Sequence, residues 1–166
     1  MLRRPCPECG LDTSTVTGAD IPVMIRANAA AWQQPLAAPQ AARRPRPGTW
    51  SPLEYGCHVR DVFVLFRERL GLMLTEDDPL FPNWDQDETA VDGRYGEQDP
   101  AEVGRQLSAA GDALAGRFAA VSGNEWRRPG RRSDGAAFTV ETFGRYLIHD
   151  PVHHLYDVTG VRYAAG

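Results

Sequence analysis

The sequence has no lysine. All 18 of its basic residues are arginine, set against 22 carboxylates, for a net charge of −4 and a pI near 5.5. Without an overall positive field the chain has nothing to hold a phosphate backbone, so no nucleic-acid partner is expected. No apolar run approaches the roughly 20 residues that a membrane span needs. The start, Met1-Leu2-Arg3-Arg4-Pro5, lacks the apolar stretch of a signal peptide. The expectation is a cytoplasmic protein with no membrane partner. Cysteine is scarce: Cys6, Cys9 and Cys57 are too few and too unevenly spaced for a secreted disulfide scaffold, and read as free thiols or ligands. Convincing alternation of apolar and polar residues is missing too, which argues against strands.

What is present is a set of helix starts. At 166 residues and 42% hydrophobic, the chain suffices for one core and is short for two, so residues 1–166 form one domain. Asp20-Ile21-Pro22 offers an Asp cap with Pro in the first turn, and an Ala-rich helix follows to about Leu36. Ser51-Pro52-Leu53-Glu54 is a capping box that opens a long apolar helix to about Leu74. Asp99-Pro100-Ala101-Glu102 starts a third helix, to about Val121, and a fourth runs from near Thr139 to about Val158. The fold class is therefore all-α: an antiparallel four-helix bundle over residues 20–160, preceded by a Cys-x-x-Cys segment at 1–19.

The connections differ in character. Gln40 to Gly48, rich in Arg and Pro, reads as an ordered bridge or a flexible linker. Glu76 to Asp99, between the second and third helices, is a long crossover with nine carboxylates, one Arg, and the aromatics Phe81, Trp84 and Tyr95. Loops of that length are functional, mobile, or straps pinned by their aromatics. The connection Ser122 to Phe138 holds Arg127, Arg128, Arg131 and Arg132. These arginines form an anion site or pair with the acidic crossover.

The histidines are the informative feature. His58 falls on the face of its helix that carries Tyr55, Val62, Leu65 and Phe66, so it should point into the bundle. His149, His153 and His154 crowd one stretch of the last helix, where two pairs sit four residues apart: His149 with His153, and Asp150 with His154. A helical wheel groups Asp150 and His154 with Phe143, Leu147 and Val158, and puts His149 and His153 with Thr142 and Tyr146. The inward set is then His58, Asp150 and His154, two imidazoles and a carboxylate that leave coordination positions open. Pro151 should kink the helix, so the pair His149 and His153 stays an alternative.

The stretch Trp50-Ser51-Pro52-Leu53-Glu54-Tyr55-Gly56-Cys57-His58-Val59-Arg60-Asp61 resembles the second-helix signature of the DinB-like (DinB/YfiT) metal-binding bundles. His149 to Asp157 is similar to that family's last-helix motif, with His154 and Asp157 at its tail spacing and Asp150 at the preceding ligand position. Asp stands where the family usually has Glu or His, and Pro151 interrupts the motif helix. By this motif the chain is nearest the mycothiol-dependent, maleylpyruvate isomerase-like branch. The resemblance implies a four-helix bundle binding zinc, nickel or a similar divalent ion. It also implies a thiol-dependent transferase or isomerase acting on a small-molecule thiol such as mycothiol and an electrophilic substrate. Arg131 and Arg132 would then bind an anionic group of the substrate, with Trp84 in a lid. The alternatives are a non-catalytic, stress-associated metal-binding bundle and a dimerising interaction module, since bundles of this size often pair as homodimers.

Cys6-Pro7-Glu8-Cys9-Gly10 resembles one knuckle of a zinc ribbon, but no second knuckle follows. Cys6 and Cys9 with His149 and His153 would make a Cys₂His₂ site stapling the N-terminus to the last helix. A reduced or redox-active thiol pair is the other reading. Cys57 and His58 point about 100° apart on a helix, so Cys57 reads as a small core residue rather than a nucleophile.

Overall fold

The structure is a computed structural model that describes residues 4–164. Four long helices carry the core: α1 (Asp20–Ala31), continued after Trp32 by the short α2 (Gln33–Ala37); α3 (Pro52–Thr75); α5 (Pro100–Ala119); and α6 (Val140–Thr159). The crossover after α3 contains a strand, β1 (Leu80–Phe81), and a helix, α4 (Gln86–Asp92). Strands β2 (Pro129–Arg132) and β3 (Ala137–Thr139) precede α6.

Three of the four expected starts are capped as the sequence indicates. Ser51 accepts from the Glu54 amide while Glu54 accepts from the Ser51 amide, Asp99 accepts from Glu102, and Thr139 from Thr142. Asp20 does not cap. It lies inside the first turn of α1, and its carboxylate accepts from the Thr17 amide and hydroxyl instead. The bridge before α3 is ordered: Arg44 donates to both carboxylate oxygens of Glu54, at 3.0 and 2.9 Å from Nε, and to the Pro47 carbonyl. Glu54 thus fixes both the helix start and the segment leading into it.

The bundle has mixed direction. Gln33 at the start of α2 donates to the Gly104 carbonyl of α5, and Ala29 of α1 faces Gly111, so α1 and its continuation run antiparallel to α5. Phe66 of α3 stacks on Phe143, and His58 lies against Asp150, so α3 and α6 are antiparallel as well. Arg60 near the start of α3 reaches Gln98 and Gln106, however, and Gly71 lies against Arg117, so α3 and α5 run parallel. Contacts of Ile21 with Gly144 and of Asn28 with Pro151 make α1 and α6 parallel. The antiparallel expectation holds for two of the four packed pairs. The long crossover is what lets its two flanking helices run the same way.

The all-α class holds, with one small three-stranded sheet that the sequence pattern does not show. β1 pairs parallel with β2, Leu80 opposite Arg131, and β2 pairs antiparallel with β3, Gly130 opposite Phe138. This small sheet ties the crossover to the segment entering α6. Arg128 joins them to α3 by donating to the carbonyls of Met73 and Glu76 at its C-terminal end. Trp32, Phe63, Phe118, Phe143 and Leu147 are fully buried where the four helices meet.

Tight helix approach predicts opposite effects at two glycines. A Cβ on Gly144 would lie 2.4 Å from Ile21 Cδ1, so Gly144→Ala should destabilise by about 1–3 kcal/mol. Gly116 has nothing within 4 Å, and Gly116→Ala should stabilise by about 0.5–1 kcal/mol. Urea unfolding of the two variants beside the parent checks both signs.

Candidate metal centre

His58 sits two turns into α3 on the face that carries Val62 and Phe66, and the capped start at Ser51 sets that phase. On α6 the helix runs unbroken through Pro151. The Pro151 carbonyl accepts from Asn28 Nδ2 of α1 at 2.9 Å, a buried tether at this point of the helix. The expected loss of helix phase after Pro151 does not occur.

The result is a compact donor set. One ligand atom from each of His58, Asp150 and His154 lies within 4.8 Å of the others. Asp150 stands between the imidazoles, with Oδ2 3.2 Å from His58 Nε2 and Oδ1 3.5 Å from His154 Nε2. His154 Nδ1 lies 3.0 Å from Asp157 Oδ2, which orients the ring and gives Nδ1 the proton. His154 Nε2 and Asp150 Oδ1 then turn lone pairs toward each other, an arrangement that calls for a proton or a cation between them. Burial pushes the Asp150 carboxyl up, but hydrogen bonds from His154 and His58 outweigh it and hold it well below the usual carboxylate range. Burial lowers His154, and the hydrogen bond to Asp150 overcomes that and raises it. The donor chemistry and spacing fit a divalent ion, with two nitrogens and an oxygen leaving positions open.

Trp84 from the crossover lies flat on His58, ring centroids 5.4 Å apart at 12°. Beside it a cavity of about 110 Å³ is lined by His58, Asp150, Trp84, Arg69, Arg132 and Tyr146, among others.

A second cluster lies on the neighbouring face of α6. Cys6, Cys9, His149 and His153 also place one ligand atom each within 4.8 Å of the others. Cys6 Sγ is 3.7 Å from His153 Nδ1, and His149 Nε2 is buried without a partner. Burial would raise the Cys6 thiol. The nearby His149 imidazole, the backbone at Cys9 and Glu8, and His153 bring it down to about 6. Cys9 moves up, through burial and its proximity to Cys6.

Comparison with known proteins places this geometry in a family. The model of the DinB superfamily matches residues 24–158. The chain belongs to the DinB superfamily. No curated protein matches the sequence significantly. Among solved structures, YfiT from Bacillus subtilis, described as a probable metal-dependent hydrolase with an unusual four-helix bundle topology, is similar. It has a TM-score of 0.77 at 18% identity, covering 93% of this chain and 90% of that one.

In this DinB-superfamily chain the other expected site residues separate. Arg132 lines the cavity, held by Asp134 at 2.9 and 2.6 Å and by the Tyr146 hydroxyl at 3.1 Å. Arg131 does not line it: on the next position of β2 it pairs with Asp78 of the crossover at 2.9 Å. Neighbouring strand residues face opposite ways, so only one of the two can serve the cavity. Tyr146, expected beside His149 and His153, lines the cavity with Asp150 instead. Cys57 is a core residue, its thiol pushed up to about 12 by burial and its Sγ 3.8 Å from the Tyr95 carbonyl.

Arg69 was not anticipated. It is buried in the cavity wall, donates to the Pro82 carbonyl at 2.6 Å and lies over the Phe81 ring at 4.9 Å. Among the described residues no carboxylate forms an ion pair with it. Its signal in the sequence was an arginine at helical spacing among Phe66, Leu70 and Met73, where a core residue belongs.

The protonation chemistry fixes a pH dependence for metal-free protein. Asp150 is depressed when folded, so its contribution is present above its unfolded value near 3.8 and is lost as the pH falls below it. His154 is raised above 6.5, so its contribution is full below that value and fades as the pH rises past it. Asp150→Asn should flatten both flanks in urea midpoints of chelated protein. A profile parallel to the parent's would show that the pair is not the source.

Proposed function

We propose that this chain is a metal-dependent enzyme in which His58, Asp150 and His154 hold a divalent ion, zinc or nickel, beside a pocket for an anionic electrophile. The observation that carries the reading is the combination of a three-donor set with open positions and a cavity wall that presents Arg69 and Arg132. When bound, a divalent ion supplies Lewis acidity and lowers the pKa of a coordinated thiol or water into the neutral range.

The chain's own residues do the rest. Asp157 keeps the proton of His154 on Nδ1, so that Nε2 is free to act as a ligand. Trp84 covers His58 and limits the access of bulk solvent to that side. Arg132, already oriented by Asp134, offers a guanidinium without reorganisation when substrate binds. Among the described residues Arg69 has no carboxylate partner to release before it engages an anion.

The finer reading is a thiol-dependent transferase or isomerase of the mycothiol type, in which a low-molecular-weight thiol is the nucleophile and a cytoplasmic electrophile the substrate. The similarity to YfiT, described as a probable hydrolase, supports water as the competing nucleophile. Turnover of an activated ester or a maleylpyruvate-like acid by metal-loaded protein, with and without mycothiol, separates them. Saturable dependence on the thiol supports transfer, and equal rates without it leave hydrolysis.

Two variants test the residue roles. His58→Ala should lose the ion and all turnover. Arg69→Met should keep the ion and raise KM for an anionic substrate about tenfold or more, the loss expected for one charge-assisted contact. Full metal retention in His58→Ala, measured with Cys9→Ser also in place, would remove the proposed centre.

A further inference from the structure

The proposed reaction makes no use of the second donor cluster, which rests on different residues. Its N-terminal half is a tight turn. Gly10 at φ +84° closes it, with its amide bonded to the Cys6 carbonyl at 2.9 Å and the Cys6 amide bonded to the Leu11 carbonyl at 2.9 Å. A side chain is strained at that φ, and a Cβ would also lie 3.2 Å from the Tyr163 carbonyl. The turn brings both sulfurs into the protein, Cys9 fully buried and Cys6 nearly so, yet no disulfide joins them.

The other half comes from α6. His149 and His153 are four residues apart on one helical face, with ring centroids 5.3 Å apart. His153 turns Nδ1 toward Cys6, and its Nε2 faces Glu8 Oε2 and Asp157 Oδ1, each at 3.6 Å. That is the arrangement of a ligating imidazole whose second nitrogen is oriented by carboxylates. His149 places one ring nitrogen within the cluster, and its buried Nε2 has no hydrogen-bond partner among the described residues. A buried ring nitrogen with nothing to bond is costly unless something fills the gap.

We infer that Cys6, Cys9, His149 and His153 bind one zinc ion in a closed, structural Cys₂His₂ site. Two sulfurs and two nitrogens match the tetrahedral preference and borderline softness of zinc, and four protein ligands leave no position for substrate. The site joins residues far apart in sequence, and the surrounding contacts follow the same seam. Tyr163 donates its amide to the Cys9 carbonyl at 2.7 Å, Arg162 donates to Pro7 at 2.7 Å, and Arg145 donates to Val16 at 2.7 Å. Zinc therefore locks the N-terminal segment onto α6.

Cobalt tests this without reference to activity. Reduced, chelated full-length His58→Ala, which lacks the first donor set, is titrated with Co²⁺. The expected result is one equivalent bound, with thiolate-to-cobalt charge-transfer absorption in the near ultraviolet and tetrahedral d–d bands in the visible, both abolished by zinc. Adding Cys9→Ser should remove the charge-transfer band or lower the affinity at least a hundredfold. Because removing a ligand can also unfold the segment it holds, the decisive reading is on His58→Ala alone. Folded, reduced protein that binds no cobalt, or binds it without a thiolate band, overturns the site. So does a Cys6–Cys9 disulfide in protein isolated with zinc present.

Discussion

The polar chemistry of this protein depends on the rotational setting of helix α6. A helix advances about 100° per residue, so His149 and His153 share one face while Asp150 and His154 share the next. Phe143, Leu147 and Ile148, all fully buried, fix the rotation through packing. Asn28 fixes it again through its bond to the Pro151 carbonyl. The proline removes one N–H from the helix ladder, and its carbonyl is tethered across to α1. Asp157, one turn further, faces both sets, with Oδ1 3.6 Å from His153 Nε2 and Oδ2 3.0 Å from His154 Nδ1. A rotation by one position would exchange the donors and break both clusters.

Local rules made much of this legible. Capping chemistry located the starts of α3 and α5, because a cap is a contact between residues three apart. Helical phase placed His58, Asp150 and His154 on facing surfaces for the same reason. The sheet was not legible: its strands are two to four residues long, too short to alternate, and Leu80 meets Arg131 across half the bundle. Missing the sheet also meant missing which arginine would turn inward, since the strand pleat separates Arg132 from Arg131. Trp84 was suspected as part of a lid, but its stacking on His58 depends on how the crossover folds back. Arg69 stands in the sequence as an arginine in an apolar stripe, a pattern that signals a buried guanidinium.

Magnitudes show what holds the crossover in place. Its nine carboxylates suggest electrostatics, yet the pair it forms with the arginine segment, Asp78 with Arg131, is half exposed. Such pairs contribute about 0–1 kcal/mol. Full burial of one large apolar side chain contributes about 1.5–3 kcal/mol, and the crossover buries two: Phe81 against Phe143, and Tyr95 with its hydroxyl donating to Asp61 at 2.5 Å. The aromatics anchor both ends of the segment, and the carboxylates keep its outer surface wet. Trp84, between those anchors and only partly buried, is carried onto His58 by them.

The two donor sets differ in the property that governs coordination. The set on α3 and α6 is nitrogen and oxygen, three groups beside a cavity with two guanidiniums in its wall. The set on the N-terminal turn and α6 is sulfur and nitrogen, four groups of which the sulfurs are buried and the imidazoles partly buried. Thiolates favour zinc over harder ions, whereas a mixed nitrogen and carboxylate set accepts several divalent metals. His153 and His154 are adjacent in sequence, yet their rings diverge by 79° with centroids 6.1 Å apart. Neither can reach the other's set without turning the helix. That separation allows one helix to present a sulfur-containing cluster and a nitrogen-and-oxygen set without either capturing the other's ligands.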